Sequence, residues 1–105
     1  MVEKILMPPT LDKVIVALCA DYSRRAEAIE KREIPFNVLM EYRFLNYRML
    51  DAAMEIAGGR DALAFITEIA ERRGNVQSSL YLSETLYKTR KKEIKVNIAK
   101  RLSMF

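Results

Sequence analysis

Wherever this chain is apolar, its apolar residues return every three or four positions, and nowhere do they settle into strict alternation. A period near 3.6 gathers side chains on one face of a helix, whereas a half-buried strand needs a period of two. Leu11, Val14, Ile15, Leu18, Tyr22, Ala26 and Ile29 make one such stripe. Val38, Tyr42, Leu45, Met49, Ala52, Ala53 and Ile56 make a second, widened by Leu39, Met40, Phe44 and Leu50. The pattern predicts an all-α domain, a compact bundle of about four helices that ends in a long basic helix.

Breakers set the boundaries. Residues 1–9 read as an N-terminal extension closed by Pro8-Pro9, with Thr10 as cap and Asp12 in the first turn of a helix over 10–32. That helix stops before Pro35. The next, over 36–57, starts with Pro35 as its first residue or Asn37 as its cap, and Gly58-Gly59 ends it. Asp61 can cap a third over 61–73, with Phe65, Ile66, Ile69 and Ala70 inward, Arg72 and Arg73 in its last turn and Gly74 as the stop. The last helix covers about 78–102, with Leu86, Tyr87, Ile94, Ile98 and Leu102 inward. Ser83 can cap it, with Leu82 and Tyr87 as a staple, or it begins earlier, near Asn75. Short connections favour antiparallel neighbours.

The chain has 105 residues, room for one domain. A domain of this size gains stability readily by self-association. Cys19 is the single cysteine and lies in an apolar run, so it reads as a small core hydrophobe. No export signal is visible, and the longest apolar run, residues 14–20, falls far short of the roughly 20 residues a bilayer requires. The basic helix lacks the Trp/Phe content of an interfacial helix. A cytoplasmic protein without membrane contact is expected.

Catalytic chemistry finds little to work with. The chain contains no histidine, which removes His-based triads, Cys-His nucleophiles and nearly every zinc site. Its three glycines form no phosphate-cradling loop. Asp51 and Glu55 share a helical face but read as solvated, as do Glu27, Glu30, Glu68 and Glu71. No enzyme, cofactor or metal is expected.

Charge is unevenly placed. Residues 1–74 hold 11 Lys/Arg against 12 Asp/Glu, a net of −1, and residues 75–105 hold 7 against 2, a net of +5. Such asymmetry points to an anionic partner. In the final helix Ser83, Thr85, Lys88 and Thr89 are placed to face bases, and Arg90, Lys91, Lys92 and Lys95 to hold phosphates of double-stranded DNA.

The phrase Glu68-Ile69-Ala70-Glu71-Arg72-Arg73-Gly74, followed by Ser83-x-Thr85-x-Tyr87-x-x-Arg90, resembles the helix-turn-helix that ends sigma-factor-like proteins. With Asp21-Tyr22-Ser23-Arg24-Arg25 near the start and Ile98-Ala99-Lys100-Arg101-Leu102 near the end, the chain resembles small phage-type regulators of the ArpU/RinA kind. The resemblance implies a small DNA-binding regulator of phage or mobile-element type. The nine residues from Gly74 to Leu82 depart from the usual three- or four-residue turn. Either an insertion lengthens the turn or the last helix starts earlier and no such motif forms.

The alternative is a non-enzymatic interaction or assembly module that forms a homodimer or binds a protein partner. Tyr42, Phe44 and Tyr47 cannot all enter one core, and six methionines suit adaptable contacts.

Overall fold

The computed structural model describes residues 7–71 and 83–105, and among these it is helical throughout, with no strand. The helices are α1 (Pro9–Ala20), α2 (Tyr22–Lys31), α3 (Phe36–Ala57), α4 (Ala62–Glu71) and α5 (Glu84–Arg101). The N-terminal six residues, Arg72, Arg73, Gly74, residues 75–79 and the Leu82 half of the expected staple lie outside the described residues.

The expected helix over 10–32 is two helices. Asp21 separates them, and the reason is a side chain. Arg25 turns inward and its Nη2 donates to the Leu18 carbonyl at 2.8 Å, the oxygen that the Tyr22 amide would meet in an unbroken helix. Helix starts also differ from the reading. Pro9, not Thr10, opens α1, because a first helical residue needs no amide hydrogen. Pro35 occupies the cap position of α3 and Phe36 is its first residue. Arg32 ends α2 in the left-handed region (φ 55°), and Gly58 ends α3 at φ 82°, where glycine meets no Cβ penalty. The last helix starts at Glu84 and not near 78 or Asn75, because of the two starts the sequence allows it takes the Ser83 cap, whose Oγ accepts from the Leu86 amide at 3.2 Å.

One core joins α1, α3, α4 and α5. It consists of Ile15 and Cys19 from α1, Met49, Ala52 and Ala53 from α3, Ala62, Phe65, Ile66 and Ile69 from α4, and Tyr87, Ile94, Ile98 and Ala99 from α5. The two alanines of α3 let neighbouring helices approach closely, and Phe65 stacks on Tyr87 at 5.7 Å between centroids. Burial pushes the Cys19 thiol up to about 12, so it stays protonated and inert at neutral pH. Cys19 is buried as expected, whereas Val14 and Leu86, expected inward, are exposed, and Ala99 is buried.

Polar clamps fix α5 along α3. Arg90 donates through Nη1 to the Ile56 carbonyl, one of the oxygens a helix end leaves without a partner. Asn97 Nδ2 donates to the Ala52 carbonyl at 2.9 Å, and Arg101 pairs with both Asp51 and Glu55. That pairing, not solvation alone, accounts for the two carboxylates on this face, and no metal-binding cluster exists among the described residues.

Between Cys19 and Met49 no apolar side chain is fully buried. Residues 20–48 therefore form an arm, α2 packed on the first half of α3, with Tyr22, Ala26, Ile29, Val38, Leu39, Tyr42 and Leu45 only half covered. The arm's buried groups are polar, Arg25 and Asn46. Arg25 Nε donates to Asn46 Oδ1 at 2.7 Å and Asn46 Nδ2 to the Tyr22 carbonyl at 3.2 Å, which ties both helices of the arm to the end of α1.

Candidate interaction surfaces

The basic helix divides its cations by task. Thr85, Lys88, Thr89, Lys91, Lys92 and Lys95 line one open groove of about 460 Å³ on its outer side. Six of the eight residues expected to meet DNA are thus neighbours. Ser83 is occupied as the helix cap, and its neighbour Glu84 repels an anion at that helix start. Arg90 is not on this face at all. It points into the bundle toward α3, and its Nε is buried without a hydrogen-bond partner among the described residues. Sequence spacing could not show this, because arginine at a helix surface reads as solvated until a neighbouring carbonyl claims it.

The groove's lysines are partly neutralised from within the chain. Lys95 Nζ lies 2.8 Å from Asp12 of α1 and Lys88 Nζ 2.8 Å from Glu84. Lys91 lies 3.7 Å from Glu68 and 5.2 Å above the Tyr87 ring. Glu68, expected on a solvent face, is 2% exposed. It hydrogen-bonds the Tyr87 hydroxyl, and burial followed by this carboxylate holds the phenol above its ordinary range. Lys92 is exposed and unpaired among the described residues. Thr89 donates its hydroxyl to the Thr85 carbonyl at 2.9 Å, leaving the Thr85 hydroxyl open. An exposed i,i+4 pair such as Glu84–Lys88 contributes little in water, so a phosphate can displace it. Lys88 and Lys92 are the cations most available to an anion.

A second surface is apolar and faces away from the bundle. Phe36, Met40, Phe44, Tyr47 and Met54 follow one another at helical spacing along the outer side of α3, with Phe36 75%, Phe44 57% and Tyr47 68% exposed. Met40 and Phe44, expected to widen the core-facing stripe, belong here instead. A helix of 22 residues cannot bury its whole circumference when its three neighbours, α2, α4 and α5, leave one side uncovered. The stripe from Phe36 to Met54 is about 27 Å long at 1.5 Å per residue. Tyr42 alone of the three aromatics turns back toward the arm, where the Arg24 guanidinium sits 5.3 Å from its ring centroid. Arg24 also pairs with Asp21 and holds that carboxyl below its usual range. Arg48 lies over Phe44, 4.6 Å from its centroid.

No known protein family, curated protein or solved structure matches the chain. Among the described residues, no helix is long and apolar enough to cross a membrane. The two surfaces therefore carry whatever functional argument can be made, and they differ in kind. The α5 groove is polar and largely self-paired, whereas the α3 stripe is a row of large apolar side chains left in water.

Proposed function

We propose that this protein is a non-enzymatic helical module that docks onto another protein surface through the α3 stripe. The observation that carries the reading is the run of Phe36, Met40, Phe44 and Tyr47, all exposed on one side of the two-helix arm. Scattered exposed apolar residues are ordinary, but a contiguous aromatic and methionine row marks an interaction site. The arm itself buries no apolar side chain fully, so covering its outer side would complete a structure that is thinly packed alone.

A photo-crosslinking residue in place of Tyr47, compared with one at exposed Lys13 on α1, tests this in the native cell. Strong crosslinking to protein at position 47 and little at position 13 is the expected result. Equal, weak labelling at both positions would end the proposal.

The regulator reading, double-stranded DNA bound by the basic helix in a protein resembling ArpU/RinA-type regulators, is supported by the clustering of Thr85, Lys88, Thr89, Lys91, Lys92 and Lys95 around one groove. It makes a quantitative statement. With two to four lysines neutralising phosphates, log K against log salt should fall with a slope between about −1.8 and −3.6. Fluorescence anisotropy with a duplex checks it, with Lys88→Glu/Lys92→Glu as control. Absence of binding at low salt would dismiss it.

A further inference from the structure

We infer that the occupant of the α3 stripe is a second copy of this chain, held as an antiparallel α3–α3 pair about a two-fold axis between Phe44 and Tyr47. The inference rests on the docking reading above and narrows it to one partner.

Area comes first. With aromatic side chains offering about 150–250 Å² each, the exposed parts of Phe36, Met40, Phe44, Tyr47 and Met54 amount to about 500–600 Å² per copy. Two copies would then bury about 1,000–1,200 Å², the lower edge of what a specific association requires. An axis between Phe44 and Tyr47 sets each Phe44 against the other copy's Tyr47 and brings Phe36 beside the opposite Met54. The same patch serves both copies, as a closed two-fold interface demands.

Charge then complements a second copy. Glu41 and Arg48 are seven residues apart on one flank of the stripe, and Arg43 stands on the other. None of the three has an ion-pair partner among the described residues, although Glu27, Asp51, Glu55, Glu68 and Glu84 are all paired within the chain. In the antiparallel register, Glu41 of each copy comes opposite Arg48 of the other, twice per dimer. Arg43 comes beside Leu50 of the other copy. A parallel pair would instead bring Glu41 of one helix beside Arg43 of the other and leave Arg48 without a partner across the interface. The arginine that answers Glu41 therefore distinguishes the two orientations.

Sedimentation of the full chain over about 1–500 µM should show a monomer–dimer equilibrium with a micromolar dissociation constant. Phe44→Asp/Tyr47→Asp should remain monomeric across the range with an unchanged helical circular dichroism spectrum, since both residues lie outside the core. Glu41→Arg and Arg48→Glu should each weaken the dimer about tenfold, and the combined E41R/R48E chain should return to within about threefold of the parent. Equal weakening in the singles and the combination would overturn the antiparallel register. A strictly monomeric parent chain at the highest concentration would overturn the second-copy inference. If position 47 then crosslinks to a different protein in the cell, the docking reading survives and only the identity of the partner fails. If it crosslinks to nothing, both fall.

Discussion

Replacing Arg25 with alanine is expected to destabilise the protein by about 3–5 kcal/mol, the cost of emptying a buried, fully engaged charged position. Arg25 is 2% exposed and its guanidinium serves three oxygens, those of Leu18, Asn46 and Asp21. Alanine leaves the Leu18 carbonyl and the Asn46 amide oxygen without a donor and opens a void beside Met49, whose sulfur lies 3.2 Å from Nη2. Urea unfolding followed by circular dichroism should show a midpoint lowered by about 2 M if the slope is near 2 kcal/mol/M. Arg25→Met, which keeps most of the volume, should lose less than half as much. Arg25→Lys should rescue little, because an ammonium cannot reproduce the planar fork that reaches three acceptors. Hydrogen exchange should quicken first in α2 and the first half of α3, the arm that Arg25 and Asn46 fasten. A loss shared evenly by α4 and α5 would show that Arg25 supports the core as a whole and not the arm.

The helices were legible because the signals that define them are local. Pro35, Gly58-Gly59 and Ser83 act within a few residues of their own position, and the period of the apolar residues fixes helix against strand. What the sequence concealed required knowledge of neighbours. Arg24 and Arg25 are adjacent and chemically alike, yet one reaches the surface toward Tyr42 and the other is swallowed by α1 and α3. Only the position of Asn46, 21 residues away, decides between them. Glu68 and Arg90 depart from the sequence expectation for the same reason. A charged residue on a helix is assigned to solvent unless a partner is known, and those partners, Tyr87 and the Ile56 carbonyl, come from other helices. The α3 stripe was half visible. Tyr42, Phe44 and Tyr47 span too wide an arc for one core, which required an exposed aromatic but could not say which. Met40 and Phe44 were assigned inward because periodicity describes apolar arcs, not the number of helices available to cover them.

Replacing Glu68 with alanine is expected to lower stability by about 2–4 kcal/mol, through the lost charged hydrogen bond and the volume removed. The carboxylate stands between α4 and α5, bonded to the Tyr87 hydroxyl, with the Lys91 ammonium 3.7 Å away. Without it the phenol keeps its burial and loses this carboxylate. The pH profile of the parent chain follows from the same contact. Tyr87 is held above its ordinary value by burial first and by Glu68 second, so the folded state favours the neutral phenol. Stability from this group is complete below pH of about 10, where an unfolded tyrosine begins to ionise, and declines above it. In Glu68→Ala that decline should be shallower, because one of its two causes is gone; an unchanged alkaline profile would leave burial as the sole cause. The variant also separates the readings of α5. It releases Lys91 into the groove and raises the local charge by one. If that face holds phosphates, DNA binding should strengthen several-fold while the fold weakens, two effects of opposite sign from one side chain. If the lysines are only a solvated, self-paired surface, stability falls and nothing else changes.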